Sequence, residues 1–376
     1  MHVFLLSLIG QTIFNLLLIL LLFKATKPRT LMRYIGLGSI AFEYVVFLIL
    51  FALRSHLTQE TIKYVLRIFN NYYVGLMIFL TFTAFVFLAI YIVSFLFREK
   101  EARRAIKKRW YKRVFIIMIP VTALLCVWGH YNTVSPRVIR HEIHLPRTAN
   151  TPESLKIVFV SDPHIGEIIS LKDIQRLRDM TRREDPDFVL LGGDILDYYT
   201  SYAYEPGVSE AMRELHRDQS KIFYVNGNHE YYHEREEKEA WFRTLGTFLK
   251  DSVVSLAPDV YLIGRDDHMN KERADLRSLK AAIPRDAVTI VLDHQPKNVV
   301  EEREEGVHLA LHGHTHDGQF VPFKWVVSAA FEQSYGLYSE GGTTYCISSG
   351  YGVAASTFRV GTRSEIVVLT LVFDRE

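Results

Sequence analysis

Five short, mostly apolar runs in this chain each lead into a cluster of carboxylate, amide and imidazole side chains, and that recurrence restricts the fold more than any other feature. Leu155–Val160 leads into Ser161-Asp162-Pro163-His164, and Phe188–Leu191 into Gly192-Gly193-Asp194-Ile195-Leu196-Asp197. Ile222–Val225 precedes Gly227-Asn228-His229-Glu230, Val288–Leu292 precedes Asp293-His294, and Val307–Leu311 precedes His312-Gly313-His314-Thr315-His316-Asp317-Gly318-Gln319. Short apolar runs with turn residues behind them read as buried strands entering loops. Between most of them lies a charged segment of helical character. In Leu171–Arg183, for example, Leu171, Ile174, Leu177 and Met180 recur at three-residue steps. Strand–helix alternation predicts a largely parallel sheet, whose ligands collect beyond the carboxyl ends of the strands. Imidazoles at i and i+2 on a loop leaving a strand can converge on one point, and nitrogen donors crowded in this way suit zinc, manganese or iron. A histidine-rich polar turn would explain the last cluster alone, but not five clusters in the same setting.

The first 132 residues are of another kind. Val3–Phe23, Tyr34–Leu53, Tyr73–Phe97 and Val114–Tyr131 are apolar runs, each about long enough to cross a hydrocarbon core at roughly 1.5 Å per residue. The last contains Pro120, which a membrane helix tolerates. The first lacks a basic leading segment and reads as a retained helix, not a cleaved signal. Lys24, Lys27, Arg29 and Arg33 follow the first run without an acid, and nine Lys and Arg residues against Glu99 and Glu101 follow the third. The loop with Arg54, Lys63, Arg67 and Glu60 is less basic. Positive-inside bias then puts the first and third loops in the cytoplasm and both termini outside it. Glu43, near the middle of the second run, is either a functional group or an internally hydrogen-bonded packing residue. Tyr72, Tyr73, Trp110, Tyr111, Trp128 and Tyr131 fall near the ends of the runs, as interfacial anchors do.

Length and charge set wide bounds. A chain of 376 residues predicts two units, 1–132 and 155–376, with 133–154 as a linker carrying a first strand at Val138–Leu145. The net charge of +2 is neutral on nucleic acid, and no basic stripe with interleaved aromatics points to such a partner in the second unit. Cys126 and Cys346 offer neither a disulfide framework nor a cysteine zinc site. Beyond the histidine loop, Thr343–Ser349 and Glu365–Phe373 read as strands of a closing, predominantly β segment.

The five clusters, in order, resemble the calcineurin-like metallophosphoesterase family, with its Asp-x-His, Gly-Asp-x-x-Asp, Gly-Asn-His-(Asp/Glu), lone His and Gly-His-x-His motifs. The resemblance covers about Leu155 to Val372. Four apolar runs ahead of such a domain look like the membrane-anchored bacterial branch. The resemblance implies a two-sheet αββα domain behind a four-helix transmembrane region. It implies two divalent cations, manganese, zinc or iron: one held by Asp162, His164, Asp194 and His316, the other by Asn228, His294 and His314, with Asp194 shared. His229 would be the non-ligand histidine beside the scissile phosphate. Two cations roughly 3.5–4 Å apart can hold a bridging hydroxide and neutralise phosphate charge. A histidine outside the ligand set can protonate the leaving oxygen. Asp197 and Glu230 read as groups that orient the ligands.

Asp317 and His312 depart from the branch, which commonly has smaller residues there: Asp317 is either an extra carboxylate toward the substrate or the mark of a different loop backbone, and His312 is a substrate contact or, more simply, a satisfied strand-end histidine. The expected protein is a multi-pass enzyme of the cytoplasmic membrane with its catalytic domain outside, hydrolysing a phosphoester or diphosphate of a lipid or lipid-linked substrate. Phe320, Val321, Phe323, Trp325, Val326, Val327 and Phe331 form either an apolar lip for such chains or a core segment of the closing β region. Two alternatives stand beside this reading: a UDP-diacylglucosamine-type pyrophosphatase with a cytoplasmic domain, and a metal-binding membrane sensor without turnover.

Overall fold

The computed structural model describes residues 2–53, 59–354 and 356–374. The chain divides into two compact units, Met1–Gly129 and His130–Glu376. Arg54, one of the charges counted above, lies outside the described residues.

The first unit is helical: α1 (His2–Ala25), α2 (Leu31–Leu53), α3 (Gln59–Ser94) and α4, which runs Lys100–Val134 and crosses into the second unit. Leu21, Leu22 and Ala25 of α1 pack with Phe87 of α3 and Phe115 of α4. Phe14, Leu18 and Ile40 form a second buried cluster, while many large apolar residues face outward, including Leu16, Leu20, Phe42, Leu124 and Val127. Glu43 is buried and accepts from Asn15 Nδ2 at 3.0 Å, an internally bonded carboxylate. Among the described residues, two helical stretches are long and apolar enough to cross a membrane, Asn71–Ser94 and Lys100–Val134; Thr12–Ala25 is a shorter apolar helix.

The second unit is built on twelve strands: β1 (Arg137–Pro146), β2 (Ser154–Val160), β3 (Phe188–Leu191), β4 (Ile222–Tyr224), β5 (Thr247–Phe248), β6 (Ser252–Ala257), β7 (Val260–Gly264), β8 (Val288–Leu292), β9 (Leu309–His312), β10 (Gly336–Glu340), β11 (Thr343–Ile347) and β12 (Glu365–Asp374). Its helices are α5 (Leu171–Arg183), α6 (Val208–Arg213), α7 (Arg235–Arg243), α8 (Leu276–Lys280), α9 (Val299–Glu304) and α10 (Phe323–Ala330). The strands form two sheets, ordered β1-β12-β2-β3-β4-β5 and β10-β11-β9-β8-β7-β6. β2, β3, β4 and β5 pair in parallel, as do β7, β8, β9 and β11. Antiparallel partners enter through β12, β6 and β10.

Because side chains alternate across a strand, an unbroken apolar run serves two cores at once. Ile157 and Phe159 of β2 face a core shared with Ile290 and Leu292 of β8 and Leu309 and Leu311 of β9, between the sheets. Val158 and Val160 face the other way, onto Ile174 and Leu177 of α5 and Trp241 of α7. Val291 and Ala310 of the second sheet meet Leu276 of α8 and Val299 of α9. The result is the two-sheet α/β fold with helices on both outer faces.

The strand expected at Val138–Leu145 is β1, one residue longer at each end, and it pairs with β12 along its whole length, Arg137 opposite Glu365 to Pro146 opposite Asp374. Of the two readings of the aromatic segment after the histidine loop, the β core piece fails: the segment contains α10, none of whose residues is buried.

Candidate metal centre

The five clusters sit behind β2, β3, β4, β8 and β9, at the carboxyl ends of parallel strands from both sheets. Close approach of these loops depends on glycine. A Cβ on Gly313 would stand 1.7 Å from Ser161 Oγ and 2.3 Å from Asp162 Oδ2, and one on Gly227 would stand 2.2 Å from Asp194 Oδ1. The loop backbone is itself strained: Asp162, His164, Asp194, His314 and His316 all have φ between 49° and 69°. Non-glycine residues in that region cluster at functional sites, where the surroundings over-determine them.

The expected ligand residues come together. His164 Nε2 lies 3.1 Å from His316 Nε2 and 3.8 Å from Asp194 Oδ2. His316 Nε2 is 3.5 Å from Asp162 Oδ1. On the other side His294 Nε2 is 3.1 Å from Asp194 Oδ2 and 4.0 Å from Asp162 Oδ1. Three sets, Asp162–His164–His316, His164–Asp194–His229 and Asp194–His294–His314, each offer one ligand atom per residue with all atoms within 4.8 Å of one another. Asp194 belongs to two of them and lies between the imidazoles of β2 and those of β8 and β9.

These residues fit cations. Asn228 Oδ1 is buried without a hydrogen bond among the described residues, and such an atom asks for a partner. Burial works to raise the Asp194 carboxyl, but His294, His229 and His164 outweigh it and hold the group well below the usual range. Burial likewise works to lower His294, while Asp194 and Asp162 push it well above its ordinary value. His314 is driven down to about 3 by burial and by His294 beside it. Carboxylates buried this densely demand compensating positive charge. Oxygen and nitrogen donors without thiolate suit manganese, iron or zinc.

His229 has a different partner. Its Nδ1 is 2.6 Å from Asp197 Oδ1, and its backbone N–H donates to Asp194 Oδ1 at 2.8 Å. Burial lowers its pKa, but Asp194 and Asp197 raise it by more, so the net shift is upward. Glu230 is fully buried and accepts from the backbone N–H groups of Asp194, Ile195, Leu196 and Gly227, tying two ligand loops together.

Of the two candidate substrate contacts, neither has a free face. His312 is fully buried, with Nδ1 on Asp293 O at 2.8 Å and Nε2 on Glu302 at 3.2 Å. Both nitrogens are engaged, so this is a satisfied strand-end histidine. Asp317 is buried in an ion pair with Lys324 of α10.

Three contributors escaped the sequence reading. Lys238 of α7 is buried and donates to Asp197 O at 2.6 Å and His229 O at 2.8 Å. Tyr232 OH accepts from Asn228 Nδ2 at 2.8 Å, which leaves the Asn228 oxygen for another partner. Arg359 is buried, donating to Ser349 O and Gly352 O, with Nη2 3.1 Å from His316 Nδ1. Only Tyr232, two residues past the Gly-Asn-His-Glu run, stood close enough to a motif to be found.

Residues 155–318 match the model of the calcineurin-like phosphoesterase family. An uncharacterized metallophosphoesterase of Helicobacter pylori is 32% identical over 306 residues, covering 78% of this chain and 80% of that one. The chain belongs to the calcineurin-like metallophosphoesterase family. A Danio rerio transmembrane protein with metallophosphoesterase domain is 26% identical over 367 residues, spanning 92% of this chain and 81% of its own length. A Campylobacter jejuni metallophosphoesterase is 29% identical over 69% of this chain and 70% of its own. Membership makes the protein a metal-dependent phosphoesterase, a hydrolase requiring divalent cations.

Proposed function

We propose that this phosphoesterase is anchored in the membrane by four spans, binds two cations, and hydrolyses a phosphoester or diphosphate of a lipid or lipid-linked molecule outside the cytoplasm. The observation that carries the two-cation reading is the position of Asp194 between two imidazole groups, 3.8 Å from His164 and 3.1 Å from His294. Asp162, His164, Asp194 and His316 would hold one cation, and Asn228, His294 and His314 the other, with Asp194 shared. When bound, the pair supplies Lewis acidity and a nucleophile from water at neutral pH.

The chain's own residues do the rest. Asp194 spreads its charge between the two sets. Glu230 fixes the loop backbones, and Tyr232 engages the Asn228 amide nitrogen, leaving its oxygen for a cation. His229, held by Asp197 and with its pKa raised, keeps a proton to give to the leaving oxygen.

The membrane reading is supported by the apolar stretches of α3 and α4, by the basic segments at 24–33 and 98–113, and by the transmembrane relative matched over 92% of this chain. With the Helicobacter pylori relative, these favour the membrane-anchored bacterial members of the family. The lipid substrate is supported by the exposed apolar residues of α10, which Phe331 links to the site through a ring contact with His314 at 6.1 Å.

The test is the purified full chain with added Mn²⁺ or Zn²⁺, assayed on a soluble aryl phosphomonoester, an aryl phosphodiester and a prenyl diphosphate in micelles. Turnover should be fastest on the lipid. A soluble ester cleaved as fast as the lipid would remove the substrate claim. A reporter active only outside the cytoplasm, fused after Glu376, should be active. A silent one beside a working cytoplasmic reporter would favour the cytoplasmic nucleotide-lipid pyrophosphatase.

A further inference from the structure

Resting on the membrane reading above, we infer that α10 is a docking helix that lies on the surface of the bilayer in which the chain is anchored. Its residues Phe323, Trp325 and Val326 are 40%, 52% and 57% exposed. The helix, Phe-Lys-Trp-Val-Val-Ser-Ala-Ala, contains no acid, and its single cation, Lys324, turns inward to Asp317. Exposed side chains of this size clustered on one short helix mark an interaction site, and exposed Trp and Phe on a helix without acids suit a lipid interface.

Position within the second unit names the occupant. The segment ahead of α10 is bridged to the chain at Val360, through Val321 N–H to Val360 O and Val360 N–H to Gln319 O, both at 3.1 Å. The neighbouring residues in turn hold the last turn of α4. Asn132 Nδ2 donates to Arg359 O at 3.0 Å, Arg363 Nε donates to Ser135 O at 2.8 Å, and the Arg363 guanidinium lies 5.6 Å over the Tyr131 ring. Beyond the helix, Tyr335 OH accepts from Arg137 at 2.7 Å. Both flanks of α10 are therefore tied to residues 131–137, where the apolar α4 leaves its span. A helix held beside that exit meets the bilayer before it meets a protein partner.

The same helix is wired to the metal loop. Lys324 pairs with Asp317, Thr315 Oγ1 donates to Ser334 O at 2.7 Å, and Phe331 touches His314. Docking would thus set the His314–His316 loop at the surface from which a lipid-linked phosphate is drawn.

The experiment uses the full chain in nanodiscs of phosphatidylethanolamine and phosphatidylglycerol. A spin label is placed at Val326→Cys on a Cys126→Ala background, where Cys346 is buried, with Ser339→Cys on β10 as the exposed control. Collision with oxygen relative to a water-soluble nickel chelate should be several-fold higher at 326 than at 339. Equal ratios would overturn the proposal, as would dipolar broadening at 326 showing a second copy of the chain there. Trp325→Cys gives the same measurement if the first variant is poorly produced. Extraction of the unlabelled chain from membranes by alkaline carbonate without detergent would instead overturn the anchoring itself, which separates the two failures.

Discussion

The two units of this chain treat polarity in opposite ways. In the second, strands such as Ile157–Val160 are wholly buried, and carboxylates and imidazoles from five loops gather in one centre. In the first, large apolar side chains are outermost, Leu124 at 68% and Val127 at 69% exposed, while Glu43 and Asn15 are inside and bonded to each other. Water cannot favour the second arrangement, since each exposed aliphatic side chain forgoes about 1.5–3 kcal/mol of burial. Hydrocarbon can, because it is as apolar as the side chains and penalises only the polar ones. Among the described residues, buried charge in the first unit is one hydrogen-bonded glutamate. In the second it is a dense set of carboxylates and imidazoles held in left-handed backbone, which only a strong compensating charge justifies.

The largest break of that contrast is Asp194→Ala. Metal content, measured by elemental analysis, should fall at both sites, and turnover should drop beyond the ~10²–10³-fold typical of losing one stabilising group; undiminished metal would sink the shared-ligand role. His229→Ala should come next, keeping both metals while turnover falls about 10²–10⁴-fold. Near-normal turnover in that variant would show that the histidine has no part in the chemistry.

Leu124→Lys tests the proposed membrane span. A lysine at the middle of a membrane span costs about 2.5–3.5 kcal/mol, so membrane-integrated protein should fall sharply. A water-facing site would absorb the change within about 0.5 kcal/mol, and an unchanged yield would contradict the span.

The smallest effect concerns pH. The His229 pKa is raised, so its protonated form is present below that value and is lost as pH rises through it. Turnover that needs this proton therefore declines on the alkaline side. Asp197→Asn removes one of the carboxylates that raise His229, and the alkaline limb of kcat should move to lower pH. An unmoved limb would assign that titration to another group.

What could be read from the residues alone was whatever local order repeats along the chain. Strands β2, β3, β8 and β9 and helix α5 were legible because their apolar periods match buried strands and an amphipathic helix. The seven ligand-type residues were legible because each stands within a few positions of such a strand end, and parallel strands carry their ends to one edge. Tertiary structure alone decided the rest, because it joins residues far apart in the chain. β1 was expected as a strand, but its partner β12 lies more than two hundred residues away, and nothing local names it. Lys238 and Arg359 look like solvated surface charges by composition, yet each is buried against backbone carbonyls of the ligand loops. His312 shares a motif with His314 and His316 but is turned into the core by Glu302 and Asp293. Side-chain direction at a loop is set by which partner closes over it, and no local pattern encodes that partner.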